Sequence, residues 1–274
     1  MREGTKGIVN AKVSVLMPCY NTPDAWLWTA IKGIARQTYP DLDLIIADDG
    51  STASTTIETL KEAEETWPDR VRVVRHHENR GTAYALDMAL QAAGEDTDYF
   101  SVAASDDIFH PRWQQDRIDI FEKLPSQVGI LYENYMMLAY HRFDVQSWSY
   151  IPDIRGQPIP YPSLIPIILR PYDYRLFLES NFIPGVAMWR ADVYDKVSKS
   201  FVYDGYETEG MRHAEDYAFW LRITDHYDAF WHDCDPAFTW TYRFTVTSKY
   251  NRDRRGVNKA RNYVQRKARE RRGV

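Results

Sequence analysis

Cysteine is scarce in this 274-residue chain: Cys19 and Cys234 lie far apart, which suggests neither a zinc knuckle nor a disulfide framework. Both are expected to be reduced and structural. Long hydrophobic runs are absent as well. No stretch approaches the roughly 18 apolar residues needed to cross a bilayer, and residues 1–10 lack the apolar block of a secretory signal. The expected location is therefore cytoplasmic, with peripheral membrane attachment as the alternative. The glycines that cradle phosphates in dinucleotide-binding and P-loop folds are also missing. The turn after the first apolar run, Pro18 to Pro23, contains no glycine, so any phosphate must be held by another device, and a metal on Asp107 is the available candidate.

What is present is ordinary in amount and uneven in placement. Hydrophobic content of 44% with 27% charge fits a soluble α/β domain, while 14% aromatic, with 19 Tyr and 9 Trp, is high. Most such rings are expected in the core or at its rim, and some line ligand clefts. Charge separates along the chain: residues 249–274 carry eleven Lys or Arg against Asp253 and Glu270, a net of +9, which leaves −14 on the other 248 residues.

Four apolar runs alternate with helical patterns. Val13–Met17 reads as a strand ending at Pro18, Tyr20 and Asn21, and Leu27, Ala30, Ile31 and Ile34 then recur at helical spacing. Leu42–Ala47 ends in Asp48, Asp49 and Gly50 before a polar helix at about 55–65. Val71–Val74 precedes Asn79, Arg80 and Gly81 and a helix at 83–93. Tyr99–Ala104, small or apolar throughout, runs into Asp106 and Asp107, and a helix opens near Pro111. Such alternation implies a parallel sheet whose ligands sit beyond the carboxyl ends of its strands, so these four segments converge on one rim.

Two neighbouring aspartates at the end of a buried strand repel each other and are costly to hold near apolar surroundings. They point to a hard divalent cation, Mg²⁺ or Mn²⁺, that also holds nucleotide phosphates. The competing reading has one aspartate cap the following helix and the other solvated.

The second half is less regular. Val128–Tyr132 reads as a strand, and Tyr135–Tyr150 as an antiparallel hairpin around Arg142–Asp144. Residues 152–171 hold six of the 14 prolines and read as an irregular loop over the rim, either a lid or acceptor-side wall or a loop packed on the core. Phe182–Trp189 resumes strand character, and Ala191–Val197 forms a short helix. A helix follows from Glu215 to Ile223 with Asp216 in its first turn, an N-cap or a functional acid. His213 and His232 are candidates to approach the site, and Arg243 supplies fixed donors for phosphate oxygens. Asn258–Arg272 is a basic helix with a thin stripe of Ala260, Val264 and Ala268. It either rests on the acidic body, contacts anionic lipid, or contacts nucleic-acid phosphates.

Val13–Asn21, Asp48–Ser51, Asn79–Gly81, Ser105–Asp107 and Glu215–Asp216 followed by Trp220–Arg222 together resemble the family-2 nucleotide-sugar glycosyltransferases, in order and over roughly residues 12–248. The resemblance implies an α/β fold of the GT-A type, with a mainly parallel, Rossmann-like sheet flanked by helices. A nucleotide-sugar half (12–132) would merge into an irregular acceptor half (133–248), followed by the basic tail (249–274). It implies that Pro18, Tyr20, Asn21 and Asp49 hold the nucleoside, with Asn79 and Arg80 near a third nucleotide-contacting segment. It further implies Asp106 on the ribose side and beside the metal, Asp107 as metal ligand, and Asp216 as catalytic base. The family often has Ala-Arg-Asn where this chain has Ala85, Leu86 and Asp87, so no arginine contact is expected there. The implied activity is inverting transfer from a UDP-sugar, with Mn²⁺ or Mg²⁺, to a glycan, a lipid-linked glycan or a modified nucleic-acid base. Two rivals are a non-catalytic nucleotide-sugar or nucleic-acid binding protein of the same fold and a nucleotidyltransferase. The latter should show a Gly-rich first loop with a basic residue, which this chain lacks.

Overall fold

The computed structural model describes residues 11–139, 163–207, 212–244 and 253–273. Its first half follows the strand–helix alternation. Strand β1 (Val13–Cys19), α1 (Asp24–Ala35), β2 (Leu42–Asp48), α2 (Ser54–Thr66), β3 (Val71–Arg75), α3 (Thr82–Ala92) and β4 (Tyr99–Val102) follow one another in the chain. β1 is almost wholly buried because its residues are apolar on both faces, as a sheet covered by helices on either side requires. α1 turns Leu27, Ala30, Ile31 and Ile34 into the core. β1 pairs in parallel with β2 and β4, and β2 in parallel with β3.

The same sheet continues through elements of the second half. β9 (Met188–Arg190) inserts antiparallel between β4 and β6 (Val128–Glu133), and β10 (Asp228–His232) runs parallel to β6 at the edge. Among the described residues the order is β10-β6-β9-β4-β1-β2-β3. A second, smaller sheet has the order β5 (Ile108–Phe109), β11 (Trp240–Phe244), β7 (Tyr135–Ala139), β8 (Ser163–Ile167). It brings the chain just after the aspartate pair against residues more than a hundred positions later.

Several expectations for the second half need correction. The proline-rich segment 152–171 is not irregular throughout, since β8 lies within it and pairs antiparallel with β7. Ile165 and Ile167 alternate inward with Leu164 and Pro166 outward, and Pro166 is tolerated because β8 is an edge strand among the described residues. Phe182–Trp189 is strand only from Met188; the preceding residues are a loop that walls a cavity. In the first half Tyr99–Ala104 is strand only to Val102, while the short helix expected over Ala191–Val197 is present as a 3-10 helix over Ala191–Asp195. The hairpin turn expected around Arg142–Asp144 lies outside the described residues.

The aromatic surplus is largely core. Trp189, Phe201, Phe219 and Trp220 pack together, with the rings of Phe201 and Phe219 centred 4.2 Å apart. Onto this half docks α7 (Arg254–Arg272), packed on α5 (Tyr174–Glu179) and α6 (Glu215–Ile223). Val257, Ala260, Val264 and Ala268 recur every three or four residues and are buried. Arg271 and Arg272 reach Asp225 at 2.7 and 2.9 Å, and Asp253 accepts from the Gly256 N–H at 2.9 Å. The basic helix therefore rests on the acidic body. No described helix is long and apolar enough to cross a membrane.

Candidate active site

Asp107 sits in the turn between β4 and β5, fully buried at 0% exposure. Its position depends on the second sheet: Thr241 of β11 pairs with Ile108, which carries the Arg243 N–H to within 3.0 Å of Asp107 Oδ1. Asp107 Oδ2 is buried and has no hydrogen-bond partner among the described residues. Burial, reinforced by the neighbouring Asp106 charge, pushes the Asp107 carboxyl well above the usual carboxylate range, and burial raises Asp106 as well. An enclosed oxygen with no donor beside a second carboxylate is the environment a hard cation relieves. The described residues contain no cluster of three or more His, Cys, Asp or Glu that would hold a metal alone, which leaves room for phosphate oxygens or water among the ligands. The capping alternative fails, because α4 (Trp113–Phe121) begins from Arg112 and receives no side-chain cap.

Asp216 lies in the first turn of α6 but is not its N-cap; that position belongs to Ala214, in a left-handed conformation at φ 58°. Asp216 Oδ1 accepts from the Tyr217 N–H at 2.7 Å, and the Asn181 amide nitrogen stands 3.4 Å from Oδ2. Both acids line one cavity of about 310 Å³, walled by the loop Phe182–Val186 together with Trp240 and Tyr242. A second cavity of about 280 Å³ shares Ala104, Gly185, Val186 and Asp216 with the first and extends to Pro18. Asp216 thus borders both hollows.

The strand-end loops are tied to one another. The Asn21 side-chain oxygen accepts from the N–H groups of Thr52 and Ala53 at 2.8 and 2.9 Å, bracing the start of α2. Asp49 is buried and turned toward the next loop, accepting from the N–H groups of Arg80 and Gly81 at 2.9 and 2.7 Å, with His76 Nδ1 at 2.9 Å. Gly50 permits this closeness: at φ +74° it stands where a Cβ would lie 2.5 Å from the Glu78 backbone. Thr22 and Ser105 hydroxyls meet at 2.7 Å, linking the first loop to the Asp106–Asp107 turn. Tyr20 is 48% exposed, Asn79 and Arg80 are exposed, and the Arg80 guanidinium lies 4.1 Å over the Tyr84 ring. Arg243 is buried, its guanidinium 5.6 Å from the centre of the Trp26 ring.

Neither candidate histidine lines the cavity with Asp107. His213 Nε2 meets Asp253 at 2.8 Å and anchors the start of α7, although it borders the second cavity. His232 is half-buried near the charges of Glu133, Asp116 and Arg117, and burial lowers its pKa. Thr247 and Ser248, which follow Arg243 in the chain, lie outside the described residues.

Sequence reasoning missed the support beneath the cavity. Arg117, 2% exposed, holds Glu133, 1% exposed, through two nitrogens, and also donates to the Val186 carbonyl at 2.6 Å and to Ser101 Oγ at 2.7 Å. Trp113 Nε1 adds a 2.8 Å bond to Glu133. The available signal was a cation midway along the stripe Trp113, Arg117, Phe121, where an apolar residue is expected. Asn134 was missed too; its side chain bonds Leu169 N at 2.8 Å, Trp231 Nε1 at 3.0 Å and the Cys234 carbonyl at 2.9 Å. Arg261, which lines the cavity from α7, was read only as part of a basic tail.

The family model described as "Glycosyl transferase family 2" matches residues 14–197. The putative glycosyltransferase EpsE of Bacillus subtilis is 26% identical over 218 residues, covering 77% of this chain and 66% of EpsE. The chain spans between 20% and 66% of the length of the first curated relatives it matches. Among solved structures, S. aureus TarS 1–349 in complex with UDP aligns with a TM-score of 0.58 at 14% identity, covering 86% of this chain and 61% of that one. The mannosyltransferase PcManGT of Pyrobaculum calidifontis, in complex with GDP-Man and Mn²⁺, aligns with a TM-score of 0.53 at 18% identity, covering 87% and 58%. At such identities the structural likeness concerns the fold, which is of the GT-A type.

Proposed function

The chain belongs to glycosyl transferase family 2, and from that premise we propose that it transfers a sugar, with inversion, from a UDP-sugar to an acceptor hydroxyl. The observation that carries this reading is the shared cavity: Asp107 and Asp216, 109 positions apart in sequence, line one hollow. UDP is preferred over GDP because the TarS complex contains UDP, whereas the PcManGT complex shows that a GDP-sugar is the alternative to test.

Asp107, with Asp106 beside it, would hold Mg²⁺ or Mn²⁺, and the ion when bound supplies charge to stabilise the departing diphosphate. The chain's own residues do the rest. Tyr20, exposed just beyond the end of β1, would meet the nucleoside, with Pro18 lining the adjoining cavity. Asn21 and Asp49 act by shaping that rim, since their side chains brace α2 and the Asn79–Gly81 loop. Arg243 positions Asp107 through its backbone N–H and sets a guanidinium charge near the acids. Asp216 accepts the proton of the acceptor hydroxyl, and the Tyr217 N–H and Asn181 amide orient its carboxylate for that task. Attack from the Asp216 wall upon a sugar whose phosphate leaves toward Asp107 is in line, which gives inversion. The organisation proposed with this function is a nucleotide-sugar half (12–132) joined to an acceptor half (133–248), with the tail helix serving the latter.

The decisive experiment is Asp216→Asn assayed with UDP-sugars and Mn²⁺, following UDP release. Retained UDP binding with turnover reduced at least about 100-fold is expected; turnover at the parental rate would show that Asp216 is not the base.

A further inference from the structure

Arg261 stands at the site without belonging to the part of the chain that defines the family. It lies on α7, beyond the matched residues 14–197, yet it lines the cavity with Asp107 and Asp216. Among the described lining residues these three are the charged ones. Arg261 arrives from the Asp216 wall. With Val257, Ala260, Val264 and Ala268 turned into the core, Arg261 falls on the flank of α7 that also carries Gln265. Gln265 Nε2 reaches the Glu179 carbonyl at 3.0 Å and the Tyr217 hydroxyl at 3.3 Å, and Tyr217 follows Asp216 directly.

The remainder of the cavity suits a sugar. Tyr135 and Trp240, whose rings stack on one another with centres 4.4 Å apart, add apolar wall to the cavity against which the carbon face of a sugar can lie.

We propose that Arg261 reads an anionic group on the acceptor, so that the acceptor is a sugar bearing a phosphate or carboxylate close to the hydroxyl that is glycosylated. This rests on the transferase reading above. The acceptor is favoured over the donor diphosphate because α7 packs on α5 and α6, the elements at the Asp216 wall, while Arg243 and the aspartate pair serve the other end. A guanidinium offers a planar fork that matches the oxygens of either anion.

The test titrates the protein, saturated with UDP and Mn²⁺, with glucose, glucose 6-phosphate and glucuronate at 0.15 M salt, following binding by NMR. The two anionic sugars should bind at least about 10-fold tighter than glucose. Arg261→Gln should bring all three to about the same affinity, and Arg261→Lys should keep part of the preference; UDP binding by each variant reports that it is folded. No preference in the parent protein, or a preference unchanged in Arg261→Gln, overturns the proposal. If the parent binds neither UDP nor GDP with Mn²⁺, the donor reading fails instead, and the same titration without nucleotide still decides the role of Arg261.

Discussion

The two carboxylates on the cavity walls are held in opposite ways. Asp107 is buried, has one oxygen fixed by a backbone N–H and the other without a partner among the described residues, and is strongly disfavoured as an anion. Asp216 is partly open, and its oxygens face a backbone N–H and a side-chain amide. The first arrangement leaves a charge uncompensated and so favours a cation; the second holds a carboxylate ready to accept a proton. The chemistry proposed here follows from that asymmetry more than from the presence of two acids.

The comparison breaks most severely where both walls share support. Removing one partner of the buried Arg117–Glu133 pair, as in Glu133→Gln, should cost about 3–5 kcal/mol by denaturant unfolding and loosen the Val186 loop that both cavities share. A loss under about 1 kcal/mol would mean that the pair is not the support of that wall. Next in size, Asp216→Asn should lower turnover at least about 100-fold while sparing metal-dependent UDP binding. Loss of UDP binding in that variant would erase the distinction between the acids.

Asp107→Asn should do the converse, abolishing the effect of Mn²⁺ on UDP affinity while raising the stability of the metal-free protein by about 1 kcal/mol, because a buried charge is removed. The pH dependence has the same sign. The native Asp106–Asp107 pair holds protons more tightly than the unfolded chain, so its contribution to metal-free stability grows as pH falls through the raised pKa and is lost as pH rises. Mn²⁺ affinity should fall over that same acid range, which melting curves with and without Mn²⁺ would record. The smallest effect is expected from Gly185→Ala, whose Cβ would stand 3.4 Å from Asp216 Oδ2. A several-fold slower turnover with stability changed by less than about 1 kcal/mol would sharpen the view that Asp216 needs open space beside it.

How much of this was legible varied with distance along the chain. The first half could be read because each strand is a local apolar run and each site segment follows it directly, as Asp49 follows β2 and Asp107 follows β4. β8 was missed because proline density outweighed the two-residue alternation of Ile165 and Ile167, a pattern short enough to be hidden by Pro166. Arg117 and Glu133 were missed because a charge reads as surface until its partner is known, and here the partner comes from another element. Arg261 was submerged in a basic composition whose individual side chains face different ways once the helix is docked.

Taken alone, the amino-acid order determined the strand–helix alternation, the acids at the strand ends, the helix carrying Asp216 and the charge of the tail, since all of these are expressed within a few turns or strands of local sequence. Only the tertiary structure decided that β9 would insert between β4 and β6, that β11 would bring the Arg243 N–H to Asp107, and that α7 would turn Arg261 into the cavity. Those outcomes depend on side chains far apart in the chain competing to bury the same surface, and hydrophobic burial, being non-directional, leaves no local mark of which partner wins.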